Sequence, residues 1–95
     1  MKKNERTLKE VLGDFLHSPK IRDKYYQVSI EAAWRKHLGA TIASYTTDFR
    51  FRKGRLSVNV NSAPLREELN TGRDKLVQLL NEALDDPVIH EIKIY

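Results

Sequence analysis

The chain has 95 residues, a hydrophobic share of 40%, 17 basic against 13 acidic side chains and a formal net charge of +4. That length suits one domain with one modest core, in which roughly 60–70% of the unfolded surface becomes buried. The absence of cysteine excludes a disulfide framework and thiolate metal sites. No stretch has the length and apolarity of a transmembrane span. The charged start Met1-Lys2-Lys3-Asn4-Glu5-Arg6 lacks the apolar run of a signal peptide, so a cytoplasmic protein without a membrane partner is expected. The basic balance favours polyanionic partners, nucleic acid above all.

Residues 1–6 are expected to be a flexible N-terminus and residues 7–95 a single domain. Thr7-Leu8-Lys9-Glu10 has the capping-box pattern, in which a hydroxyl and a carboxylate each satisfy an orphan backbone N–H. Leu8, Val11, Leu12, Phe15 and Leu16 then recur at helical spacing. Ser18-Pro19 ends this helix, because proline disfavours helical geometry in the residue before it. A second helix is predicted over Ile21 to Leu38, with Ile30, Ala33, Trp34 and Leu38 as its buried stripe and a break allowed near Val28-Ser29. Gly39 is placed to end it in a left-handed conformation, and Ala40 to Tyr45 add one turn that carries Ile42 and Ala43 inward.

The sharpest local pattern is a hairpin. Phe49 and Phe51 alternate with Arg50 and Arg52, Lys53-Gly54 supplies the two loop residues, and Leu56, Val58 and Val60 alternate with polar residues. Arg52 then pairs with Arg55, Phe51 with Leu56 and Phe49 with Val58. A slip by one residue would set every apolar side chain against a polar one, so the register is strongly specified. Asp48, Arg50, Arg52, Arg55, Ser57 and Asn59 occupy the opposite face.

Asn61-Ser62-Ala63-Pro64 opens a helix, with proline tolerated in the first turn. Leu65, Leu69, Leu76, Leu80 and Leu84 form one long stripe, interrupted by Gly72, which kinks the helix or divides it. Asp85-Asp86-Pro87 stops it, and Val88 to Tyr95 form a final strand with Ile92 and Ile94 on one face. The resulting fold class is α+β: N-terminal helices, a β-hairpin, a long helix and a C-terminal strand, giving a three-stranded sheet with helices on one face.

Nothing in the sequence points to catalysis. There is no phosphate-binding loop, no GxGxxG, no HExxH and no cysteine nucleophile. His17, His37 and His90 fall on separate elements without metal-ligand spacing, so neither a metal nor a cofactor is expected. Glu67-Glu68 suits a helix N-terminus, where the helix dipole stabilises negative charge, and Asp85-Asp86 precedes a turn.

The basic residues are more informative. Arg50, Arg52, Lys53 and Arg55 put four cations within six positions of one rigid hairpin, although strand arginines also serve simply to solubilise an exposed sheet face. Lys2, Lys3, Arg6 and Lys9 make a second cluster. Lys20, Arg22 and Lys24, interrupted by Asp23, read as a solvated helix face. Phe49 and Phe51 point toward the helices, and Trp34 lies on an apolar helix stripe, so no aromatic platform for stacked bases is expected on the open sheet face. Adjacent Tyr25 and Tyr26 cannot both face one ligand. Nucleic-acid contact through Arg50, Arg52, Lys53, Arg55, Lys2, Lys3 and Arg6 is therefore expected to be directed mainly to phosphates and weakly selective for sequence.

The ordered set Trp34, Leu38-Gly39, Ile42-Ala43, Thr46, Gly54-Arg55-Leu56-Ser57-Val58-Asn59-Val60-Asn61-Ser62, Leu65, Leu69, Leu76 and Leu80-Asn81 resembles the DciA family. These are bacterial proteins associated with operating or loading the replicative helicase DnaB. The resemblance runs from about Ile21 to the C-terminus and is compatible with the helix at Leu8–Leu16. It implies a K-homology-like domain that interacts with the helicase and with DNA, with Trp34 packing its helix against the hairpin and Gly54 making the turn. Two departures qualify what is carried over. K-homology domains proper clamp nucleic acid with a GxxG loop, and no GxxG occurs here. Many members also have a long basic extension beyond the domain, whereas this sequence ends at Tyr95 in the last strand. The expected function is thus a non-enzymatic replication accessory that binds DnaB and single-stranded DNA. The competing readings are a protein-interaction module without nucleic-acid affinity and an RNA-binding K-homology-like domain.

Overall fold

A computed structural model describes residues 17–95; the expected capped helix at 7–16 and the N-terminal residues 1–6 lie outside the described residues. The elements in chain order are α1 (Pro19–Ser44), β1 (Thr46–Arg52), β2 (Arg55–Val60), α2 (Ala63–Thr71), α3 (Arg73–Leu84) and β3 (Glu91–Ile94). The strands form one sheet in the order β1-β2-β3, with β1 and β2 antiparallel and β2 and β3 parallel. The helices cover one face, an α+β arrangement of K-homology-like type.

The first helix begins at Pro19, where a fixed φ suits the opening turn and the missing N–H leaves no bond unmade. It runs through Val28-Ser29 without a break. Gly39 interrupts it with φ 92° and ψ 167°. This is not the left-handed helical conformation expected from the sequence but an extended mirror-image region that only glycine occupies without strain. A Cβ at Gly39 would meet nothing within 4 Å, so the requirement there is conformational rather than steric. The turn that follows carries Ile42 and Ala43 back to half-buried positions.

The hairpin has the register its pattern dictates: Phe49 faces Val58, Phe51 faces Leu56 and Arg52 faces Arg55. Lys53 (φ 50°) and Gly54 (φ 84°) both have positive φ, as the favoured two-residue turn requires. A bulge at Thr47, between Thr46 and Asp48, was not legible in the sequence. The extra residue reverses the alternation and sets Thr46 opposite buried Val60, on the core side.

The long helix expected after the hairpin is two helices. Gly72, with φ −104° and ψ 28°, ends α2 and opens α3. The bend sends α2 over β2 and β3, and α3 against α1. Ser62 caps α2 by accepting from Leu65 N at 3.4 Å. Asp85 closes α3 in the left-handed region.

The core is one cluster, built on Ile30 and Trp34 from α1, Phe49, Phe51, Leu56, Val58 and Val60 from the hairpin, Leu76 and Leu80 from α3, and Ile89, Ile92 and Ile94 at the C-terminal strand. Asparagine amides hold that last strand. Asn81 clamps the backbone of Ile89, donating to its carbonyl at 2.9 Å and accepting from its N–H at 3.0 Å, while Asn70 donates to the carbonyl of Ile94 at 3.2 Å.

Trp34 is fully buried. Its indole meets Phe49 edge-on at 5.4 Å, and its Nε1 donates to Thr46 Oγ1 at 2.9 Å. Replacing it by alanine opens a large void and removes the bond that the Thr46 hydroxyl accepts, leaving only the one it donates to the Ile42 carbonyl, so Trp34→Ala should cost about 3–5 kcal/mol in urea denaturation. A loss below about 1 kcal/mol would contradict this placement.

Candidate nucleic-acid interface

Alternation along β1 and β2 fixes which side chains reach the open face of the sheet. With Phe49, Phe51, Leu56 and Val58 committed to the core, Arg50, Arg52 and Arg55 must project the other way, and all three are exposed. Lys53 stands at the exposed tip between them. Arg50, Arg52, Lys53, Arg55 and Ser57 line a shallow concavity of about 370 Å³. The structure thus brings together four of the cations singled out in the sequence, while Lys2, Lys3 and Arg6 lie outside the described residues.

The third strand enlarges this face. Because β3 pairs parallel with β2, Glu91 lies beside Arg55 and Lys93 beside Ser57. With Ile92 and Ile94 buried, Glu91, Lys93 and Tyr95 share the open side. Tyr95 is 43% exposed, and the Lys93 ammonium lies 5.8 Å from its ring centroid. Contrary to expectation, an aromatic ring does belong to the open face. The signal was present in the sequence: with Ile92 and Ile94 on the core face of a strand in the hairpin's sheet, positions 91, 93 and 95 take the open one.

Two carboxylates temper the charge. Asp48 Oδ2 accepts from Arg50 Nε at 3.3 Å, and Glu91 Oε1 lies 3.6 Å from Arg55 Nε. Both pairs are largely exposed, where ion pairs contribute little to stability. Their effect is to hold the two guanidinium groups over the sheet. Arg52 and Lys53 have no acidic partner among the described residues.

At the hairpin tip the face continues onto α1. Pro19, Lys20, Asp23, Lys24 and Gln27 line an adjoining groove of about 620 Å³ with Phe51, Arg52 and Lys53. Lys20 and Lys24, which the sequence places on a solvated helix face, therefore stand next to the hairpin cations. Sequence spacing gives no sign of this, since the contact spans some thirty residues and depends on how α1 crosses the sheet. Gln27 contributes to that crossing by accepting from Phe51 N at 3.4 Å.

Gly54 fixes the tip to the rest of the sheet. Its carbonyl accepts from His90 N at 2.8 Å and from Glu91 N at 3.3 Å, and the imidazole of His90 lies over its α-carbon. Gly54 is thus buried beneath the approach to β3, while Lys53 stays exposed. The geometry offers anchored cations with one ring at the side, which suits a flexible polyanion better than a small molecule. Among the described residues no group of three or more His, Asp or Glu is arranged to hold a metal ion, and no helix is long and apolar enough to cross a membrane.

The family model described as Dna[CI] antecedent, DciA, matches residues 7–94. No curated protein and no solved structure matches the chain.

A side chain at position 54 would overlap the His90 ring and occupy a positive φ. Gly54→Ala should therefore destabilise the domain by about 1–3 kcal/mol. In a His90→Ala background the same change should cost less, because only the backbone part remains. Equal losses in both backgrounds, measured by thermal melting, would show that the imidazole yields freely.

Proposed function

This chain belongs to the DciA family, and from that premise we propose that it is a non-enzymatic DNA-replication accessory, acting in the cytoplasm, that binds single-stranded DNA through its open sheet face and engages the replicative helicase DnaB. The family supports the association with replication. The DNA-binding reading rests above all on one observation: Arg50, Arg52, Lys53, Arg55 and Lys93 converge on a face where, among the described residues, Asp48 and Glu91 are the counter-charges. Such an array neutralises phosphates and releases their counterions irrespective of base sequence. Tyr95 adds one ring on which a base can stack. Without a GxxG loop, the clamp of K-homology domains proper has no counterpart here.

The protein-interaction reading draws on the same ion pairs. Arg50 and Arg55 are already engaged by Asp48 and Glu91, so the face also fits one whose arginines keep the sheet hydrated or meet an acidic protein. Salt dependence separates the two. If all four hairpin cations contact single-stranded DNA, they account for a slope of roughly −3 in log K against log salt, from about −0.7 per contact. Changing Arg50, Arg52 and Arg55 to glutamine and Lys53 to alanine should remove most of that slope while circular dichroism stays native, because all four side chains leave the core untouched. Asp48→Asn with Glu91→Gln should act in the opposite direction and tighten binding. Unchanged anisotropy titrations in the folded quadruple variant would favour the protein-interaction reading.

The non-enzymatic reading has its own test. With no phosphate-binding loop in the sequence, the purified protein should hydrolyse no ATP above a blank, alone or with DNA. Turnover that persists through rigorous purification would reverse the assignment.

A further inference from the structure

Helix α1 has two apolar faces, and the fold uses only one. Tyr26, Ile30, Ala33 and Trp34 pack on the core. Ile21, Tyr25, Val28 and Ala32 form a second stripe, which at about 100° per residue lies roughly half a turn away. Ile21 is 47% and Val28 56% exposed, and Ala32 is exposed as well. Lys20, Ile21, Lys24, Tyr25, Val28 and Ser29 border a concavity of about 600 Å³ on this side. The Ser29 hydroxyl is already spent on the carbonyl of Tyr25 at 3.1 Å, so the seam makes no polar demand. Among the described residues nothing covers it.

We infer that this outer stripe of α1 docks an amphipathic helix with acidic edges, presented by the helicase partner of the proposed function, on which reading the inference rests. The spacing of Ile21, Tyr25, Val28 and Ala32, alternately four and three residues, is that of a helix-pairing seam rather than of a broad apolar face. Both borders of the seam are basic: Lys20 and Lys24 on the hairpin side, Arg22 and Lys36 on the other, all exposed. Of the two carboxylates on α1, Glu31 lies nearer the seam by helical position and is held by Arg35 at 2.9 Å. An acid-edged helix therefore finds opposite charge along both sides. A second copy of this chain would instead set like charges against each other across a symmetric contact. The narrow seam, with Ala32 at one end, also suits a single helix better than a lipid surface, which rewards a wide apolar face. Tyr25 meets Tyr26 edge-on at 5.3 Å, and Tyr26 meets Phe51 at 6.2 Å, so the docking ring is braced through α1 onto the hairpin.

The test uses the full chain, whose lack of cysteine permits a single photo-crosslinker at Val28→Cys. The probe is purified DnaB-type helicase, with anionic phosphatidylglycerol vesicles as a second surface. Crosslinks should fall on an acid-edged helix of the helicase. Val28→Glu should weaken helicase binding by about tenfold or more, Val28→Leu should retain it, and Arg22→Glu with Lys36→Glu should weaken it chiefly at low salt. Val28→Glu should leave DNA affinity unchanged, and Ile21→Glu gives a second reading of the seam should Val28→Glu not fold. Helicase binding that persists in folded Val28→Glu and Ile21→Glu variants overturns the docking surface while leaving the proposed function intact. Absence of helicase binding by the unaltered chain overturns both. Crosslinks confined to residues 7–16 of the same chain, or a variant effect confined to vesicles, also overturn the inference.

Discussion

The packing of Trp34 is the constraint on which the rest of the molecule depends. One buried indole joins the middle of α1 to the hairpin through Phe49, and its single polar atom is satisfied by Thr46. Thr46 in turn donates to the carbonyl of Ile42 at 2.9 Å, within the turn that follows the Gly39 interruption. This relay ties three features together: the bulge that turns Thr46 inward, the glycine that redirects the helix, and the ring between them. A buried N–H without a partner costs on the order of 1–3 kcal/mol. The polar relay therefore specifies the position of the ring, while apolar burial supplies most of the stabilisation.

That same packing determines what α1 can offer outside. Once Tyr26, Ile30 and Trp34 are committed to the core, the direction of every other side chain on the helix follows from its period. Lys20 and Lys24 arrive beside the hairpin tip, and Ile21, Tyr25 and Val28 face away from the sheet. The helix thus separates two chemistries. Its hairpin-side edge continues a cationic surface, and its back presents an apolar seam. In a small domain with a single core, one helix serves both as a structural wall and as two different surfaces.

The open sheet face follows a similar logic. Its cations are displayed because the aromatic and aliphatic residues between them are buried, so core packing and display of charge are two results of one alternation. The burial of Gly54 beneath His90, together with its hydrogen bonds to the start of β3, makes the tip part of the sheet rather than a free loop. Cations held in this way lose less side-chain and backbone freedom on meeting a phosphate chain than they would on a mobile segment.

The elements with strong local signals were readable from the residues: the hairpin and its register, the helix entry at Asn61-Ser62-Ala63-Pro64, the stop at Asp85-Asp86-Pro87 and the core stripe of α1. Each is set by neighbours in sequence, through period, turn chemistry or capping. The choice between a kink and a break at Gly72 was not, because backbone permissiveness alone does not say whether α2 and α3 find different surfaces to pack on. The conformation at Gly39 and the bulge at Thr47 likewise accompany a contact between Trp34 and Thr46, twelve residues apart. Which hairpin residues Glu91 and Lys93 lie beside was set only by the parallel pairing of β3 with β2, a contact between distant segments. Lys20 and Lys24 joined the hairpin cations only through the crossing of α1 over the sheet. The sequence by itself determined which residues could form each surface; long-range packing decided which of them meet.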